Sequence, residues 1–252
     1  MSTRPLPEPL RLRLRLTKKA RARFLSHAEY SRAIMFAARR SGLPLEFAGK
    51  HRPRLKLSLS PPLPIGVESG GELVDLSLVG YVPAAEAKRA LSEVLPPGIE
   101  VVEARLMSGS DKAVGKLIDT AAYLVSPPED AGTPRGWRDA AVEFMSRDSV
   151  EFTRVQPRRT RVVDIRKGVH RLDVEELEGD GVTLALALDD GVAGTVKPWE
   201  VIEVLGGMAG VSMEVLKGSR ITREGLFSRR GDRLVSPMEL GRRGAAAPRG
   251  RR

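Results

Sequence analysis

The stretch Leu10-Arg11-Leu12-Arg13-Leu14-Arg15-Leu16 alternates leucine with arginine without a break. Strict period-2 alternation places four leucines on one face of a β-strand and three guanidiniums on the other. If the leucines face covering helices, Arg11, Arg13 and Arg15 project about 7 Å apart from an open sheet face, a spacing that suits a phosphate backbone. The same strand begins a segment of unusual charge. Residues 11 to 56 hold fourteen Lys or Arg and two acids, Glu29 and Glu46, so that segment carries +12 while the whole chain of 252 residues carries +10. The basic excess is concentrated in one folded stretch, which points to a polyanionic partner, with RNA the leading candidate.

Working outward, Ser26 with Glu29 three residues on is a capping box that starts a helix. The helix is expected to end near Ser41, before Gly42. Short extended pieces follow at Leu45–Phe47 and Lys56–Ser60, then a strand at Glu72–Leu78, a helix at Ala84–Leu95 and a strand at Ile99–Met107. The second half repeats the pattern: a strand at Ala121–Val125, a helix at Gly136–Ser146, a strand at Ser149–Val155, an insert near 156–168, and a hairpin of Val169–Leu177 with Val182–Leu188 across Gly179-Asp180-Gly181. Pro198 then opens a helix that Gly206-Gly207 is expected to end, and Val211–Ile221 is the last expected strand. The reading is an α+β chain of two tandem ferredoxin-like (β-α-β-β-α-β) domains with antiparallel sheets. The boundaries are a flexible arm at 1–9, domain 1 at 10–107, a linker at 108–119, domain 2 at 120–225, and a basic, disordered tail at 226–252.

Composition narrows the chemistry. The absence of cysteine excludes disulfides, thiol catalysis and cysteine-held zinc or iron–sulfur centres. Three scattered histidines, His27, His51 and His170, make a histidine metal site an unpromising reading, so no metal and no cofactor are expected. The N-terminus has no apolar core of a signal peptide and no run is long enough to span a membrane, so a cytoplasmic protein with no membrane partner is expected. The candidate RNA-binding residues are Arg11, Arg13 and Arg15 on the strand, Arg32 and Arg39 on the first helix, and Lys50, His51, Arg52, Arg54 and Lys56 in the proline-stiffened loop. Arg158, Arg159 and Arg161 in the second-half insert complete the set. Phe36 interrupts the basic helix face and suits either a nucleic acid or a partner protein. No catalytic constellation is evident. The only early candidate for acid–base work is His27, as a base toward a ribose 2′-OH, with Tyr30 beside it.

The runs FLSHAEYSRAIMFAARRSGLPLEF, PLPIGVESGGELVDLSL and LPPGIEVVEARL, with the later VVDIRKGVHRL and GTVKPWEVIEVL, resemble a radical-SAM-linked bacterial family of unknown function over residues 10 to 225. The resemblance implies a family motif at Ser26, His27, Glu29, Pro64, Gly66, Glu68 and Ser69. It also implies a partner: relatives are fused behind, or encoded beside, a cobalamin-binding-type radical SAM protein. They often neighbour an E/G-type ribonuclease and ribosomal protein genes. Two departures stand out. Glu29 takes the place of the family's Asp, and in Gly49-Lys50-His51-Arg52-Pro53-Arg54-Leu55-Lys56-Leu57-Ser58 an aromatic becomes Lys50, one proline is lost and a residue is gained. Lacking cysteine, this chain cannot ligate a radical-SAM cluster, so a separately encoded protein would supply that chemistry. The expectation is a non-catalytic accessory protein that presents tRNA or rRNA to a radical-SAM modification enzyme. The alternatives are a metal-independent endoribonuclease of the tandem ferredoxin-like type, or a protein-interaction subunit without RNA contact.

Overall fold

The computed structural model describes residues 10–156, 159–177, 181–191 and 194–241. The expected arm at 1–9, Arg158, the turn residues Gly179-Asp180 and the end of the tail from 242 lie outside the described residues. The chain is a mixed α+β protein with largely antiparallel strand pairing among the described residues. It divides into two units, 1–118 with 226–252, and 119–225.

The first unit contains β1 (Leu10–Lys18), α1 (His27–Arg40), β2 (Phe47–Ala48), β3 (Arg54–Leu55), β4 (Leu57–Leu59), β5 (Glu68–Leu78), α2 (Ala84–Ser92) and β6 (Val101–Ser108). β1 is central, with β5 on one side and β6 on the other, and β4 pairs with the far edge of β5. The leucines of β1 do what their spacing demands: Leu10, Leu12, Leu14 and Leu16 are buried with Tyr30, Ile34 and Ala38 of α1 and Ala87 and Leu91 of α2. Gly98, at φ +88°, follows α2 where a Cβ would stand 2.4 Å from the Lys19 carbonyl oxygen, so no other residue fits.

The arginine face of β1 is not open, which corrects the sequence expectation. Arg13 is 0% exposed. Its guanidinium donates to both Asp75 carboxylate oxygens at 2.8 and 3.0 Å. It donates also to the carbonyls of Pro237 at 2.7 Å, Leu240 at 3.1 Å and Lys112 at 3.1 Å. All five N–H donors of the group are thereby used, and none is left for a phosphate. Arg11 donates to the carbonyls of Asp111 and Gly109 at 2.6 and 3.0 Å. Arg15 is more exposed but faces Glu103 at 3.9 Å. Residues 226–241, expected in a disordered tail, instead finish one strand, form another and supply two of the carbonyls that bury Arg13.

The second unit contains β7 (Thr120–Ser126), α3 (Pro134–Ser146), β8 (Glu151–Gln156), β9 (Arg159–Asp164), β10 (Val169–Glu176), β11 (Val182–Gly191), β12 (Gly194–Thr195), α4 (Pro198–Met208) and α5 (Met213–Leu216). The chain returns to the first unit within β13 (Arg220–Arg230), and β14 (Arg233–Val235) follows. In the second unit β11 lies between β10 and β7, and β13 is the neighbour of β7. Tyr123, Trp137, Phe144, Leu184, Leu186, Ile202 and Leu205 are buried here. Two expectations fail in this unit. Gly206-Gly207 does not end α4, which continues to Met208 because Gly206 makes room for Leu216: a Cβ there would stand 2.4 Å from a Leu216 methyl. The last strand does not start at Val211, because Ser212 caps the short helix α5 first.

Asp75 also accepts the Val114 N–H at 2.8 Å. Asp75→Ala is therefore expected to strand a buried guanidinium and a buried amide, destabilising the protein by about 3–5 kcal/mol in denaturant titrations. The double variant Arg13→Met, Asp75→Leu removes the stranded charge and should recover part of that loss, the Val114 N–H and the carbonyls of Lys112, Pro237 and Leu240 remaining without their partners.

Candidate nucleic-acid interface

The residues of the expected family motif meet around one turn of the first unit. Ser26 accepts the Glu29 N–H at 3.3 Å, and the Glu29 carboxylate accepts the Ser26 N–H and hydroxyl at 2.8 and 2.7 Å, closing the capping box. These bonds from Ser26, its hydroxyl foremost, hold the Glu29 carboxyl below its ordinary value of 4.5. Just before the helix, residues 20–24 form a single 3₁₀ turn, with Ala20 at φ +49°. Glu68 accepts the Ala20 N–H at 3.0 Å and faces Arg23 at 3.6 Å, and the Gly66 N–H donates to the Arg23 carbonyl at 3.0 Å. Beneath the turn the buried Lys18 ammonium donates to the Leu25 carbonyl at 2.7 Å. Ser69 is buried and accepts the Gly71 N–H, and Pro64 is exposed. These contacts shape the backbone around the start of α1.

That geometry buries one member of the His27–Tyr30 pair. Tyr30 is 3% exposed, and its hydroxyl reaches the Thr17 carbonyl at 3.4 Å inside the core. His27 is the first residue of α1 and half-buried. A ribose hydroxyl cannot approach the tyrosine without unpacking the helix.

Exposed cations lie on the outer face of α1 and on the hairpin that follows, and Lys19 and Arg21 at the turn before α1 are exposed as well. Tyr30, Ile34, Ala37 and Ala38 face the core. Arg32, Phe36 and Arg39 project opposite, and Arg40 borders them. The Arg39 guanidinium lies 5.6 Å from the ring centre of Phe47 on β2, tying the helix face to the hairpin. β2 and β3 pair as Phe47 with Leu55 and Ala48 with Arg54, so residues 49–53 form the hairpin's tip. Lys50, His51, Arg52 and Arg54 are all exposed there. Lys56 is exposed too, but its ammonium is 2.5 Å from Glu46. Phe36 and Phe47 remain 59% and 44% exposed. The sequence reading missed Arg40 and Phe47. The helical phase of Arg40 beside Phe36 would have revealed the first, whereas no local signal marks Phe47.

In the second unit, β8 and β9 form a hairpin of their own, with Arg154 opposite Arg161. Its base is anchored by Asp164, which accepts the N–H groups of Val150 and Arg166, and the Val150 bond chiefly keeps its carboxyl below the ordinary 3.8. Arg159 and Arg161 are exposed. Arg154 on β8 is held by the buried Glu200 at 2.6 and 2.7 Å. Arg171 pairs with Asp173, and Lys167 faces Asp164.

The sequence pattern of a family described as uncharacterized proteins conserved in bacteria, DUF2344, matches residues 11–198. The chain belongs to that family. No curated protein matches it. Among solved structures, a Cbf5-Nop10-Gar1 complex is similar at 13% identity and a TM-score of 0.47, over 91% of this chain and 53% of that one. An H/ACA RNP bound to a substrate RNA containing 2′-deoxyuridine is similar at 16% identity and a TM-score of 0.43, over 84% and 46%. The DUF2344 chain thus spans about half the length of the solved structures it matches. Among the described residues no helix is long and apolar enough to cross a membrane.

Ser26→Ala removes a cap and is expected to cost about 1 kcal/mol of stability in chemical denaturation. For Glu29 the folded-state value is depressed, so its contribution is present above pH 4.5 and is lost as pH falls through the folded value. The gap in thermal midpoint between wild type and Glu29→Gln should accordingly close as pH is lowered below 4.5, measured by circular dichroism from pH 7 to 3.

Proposed function

We propose that this DUF2344 protein is a non-catalytic, cytoplasmic RNA-binding accessory protein that presents tRNA or rRNA to a separately encoded radical-SAM modification enzyme. Two tandem ferredoxin-like units carry it. Supporting the fold reading, β6-β1-β5-β4 in the first unit and β13-β7-β11-β10 in the second follow the antiparallel 4-1-3-2 order of that architecture, if β8 and β9 are counted as an insert. The observation that carries the RNA reading is the set of exposed cations Arg32, Arg39, Arg40, Lys50, Arg52 and Arg54 on one helix face and the hairpin beside it. Among the described residues, the ion pairs of the first unit engage none of these six. Exposed guanidiniums and ammoniums outside an ion pair can release counterions from a phosphodiester chain with little protein contact to break. Arg159 and Arg161 on the second hairpin provide a further basic element. The radical-SAM partner rests on the family resemblance and on the absence of cysteine, which makes any cluster chemistry a separate protein's work.

The test is equilibrium binding of unfractionated tRNA across a salt series. Affinity should fall steeply with salt, and Arg32→Gln, Arg39→Gln, Arg52→Gln combined should make the log–log slope shallower by about 2, at roughly 0.7 per phosphate contact on single-stranded regions. Arg171→Gln, which removes a cation already paired with Asp173, should leave the slope unchanged. A salt-independent affinity, or none at low ionic strength, would overturn the reading.

A further inference from the structure

Phe36 and Phe47 stand 59% and 44% exposed in the midst of the basic surface. Both border Arg39, which follows Phe36 by three residues on the same helix face and lies over the Phe47 ring at 5.6 Å. Beside Phe36 runs a groove of about 420 Å³ between α1 and the segment after α2, lined also by Arg40, Glu93 and Leu95. That volume falls within the range of small-molecule clefts, roughly 300–1,000 Å³. Neither ring is needed by the core, whose α1 contacts come from Tyr30, Ile34 and Ala38.

Exposed phenyl rings between guanidiniums answer a specific ligand chemistry. Phosphates alone are served by the cations, and a duplex offers those phosphates while keeping its base faces stacked inside. An unpaired strand offers both phosphates and free π-faces, and base–aromatic stacking adds affinity that does not depend on sequence. We infer that the α1–hairpin surface binds single-stranded RNA, with unpaired bases stacked on Phe36 and Phe47 and one base seated in the groove where Arg40 donates, and Glu93 accepts, hydrogen bonds at its edge. This rests on the RNA-binding reading above and narrows it to loops, ends and unpaired junctions.

The probes are an oligouridine, which has no secondary structure, and an RNA duplex of equal nucleotide length, each titrated against the full-length protein. The oligouridine is expected to bind more tightly. Phe36→Ala and Phe47→Ala should each weaken oligouridine binding about 5-fold or more without altering its salt slope, and leave duplex binding unchanged. Both rings being exposed, folding is not at risk, and circular dichroism of each variant verifies it. Phe36→Trp should retain affinity, and its fluorescence should be quenched by oligouridine. Equal binding of the two probes, or alanine variants that bind oligouridine like wild type, overturns the single-strand inference and leaves phosphate binding standing. Failure of both probes to bind overturns the RNA reading itself.

Discussion

The first unit is organised around one buried ion pair. Arg13 on β1 and Asp75 on β5 stand opposite each other in register, and the pair is sealed from water. A charge in that position is tolerable only when every donor and acceptor finds a partner. The partners come from far along the chain: the Lys112 carbonyl and Val114 N–H in the segment after β6, and the Pro237 and Leu240 carbonyls near the end of the described residues. The pair therefore fastens two stretches of chain, residues 112–114 and 237–240, onto the second face of the sheet. The leucine face is held by ordinary burial; the arginine face is held by geometry, since a displaced carbonyl would leave a buried N–H unmet.

That arrangement explains how charge density in the sequence differs from charge density at the surface. The strongest basic run, Arg11 to Arg15, is largely spent on internal bonds. Exposed cations sit on α1 and the β2–β3 hairpin, where the Glu46 carboxylate is occupied by Lys56, Glu29 is bonded to Ser26, and Glu93 lines the groove beside Arg40. The sum of charges along residues 11–56 says nothing of which of those charges are buried, and Arg13, near its start, is.

How far local pattern could reach follows from the range of each interaction. The capping box of Ser26 and Glu29 spans three residues, and it starts α1 at His27 as its spacing requires. The alternating leucines, the helix closed ahead of Pro96-Pro97-Gly98 and the β10–β11 pair were legible for the same reason: their signals lie within a dozen residues. Arg13 was not, because Asp75 is 62 residues away and Pro237 is 224. A period-2 pattern announces two unlike faces; it does not say that the polar one is wet. Gly206-Gly207 reads locally as a stop, yet the space it leaves is filled by Leu216, and packing keeps the helix going. The hairpin of β13 and β14 turns at Gly231-Asp232 between Arg230 and Arg233, a recognisable turn signal masked by the arginines around it.

Four of the motif residues, Ser26, Glu29, Gly66 and Glu68, have a structural part in the turn that precedes α1. Ser26 and Glu29 bond each other, Gly66 and Glu68 bond the turn at 20–24, and Lys18 bonds the carbonyl that precedes the helix. Their polar atoms point into the backbone they shape. What this fixes is the entry angle of α1, and with it the direction in which Arg32, Phe36 and Arg39 face. A helix whose start is pinned by reciprocal bonds, and whose inner face is packed against four leucines of β1, presents its outer residues with little freedom left to lose. Rigid presentation lowers the ordering cost of binding, so on the proposed RNA-binding reading the polar motif and the exposed basic–aromatic face would be two ends of one device: the first sets the helix in place, and the second would meet the ligand.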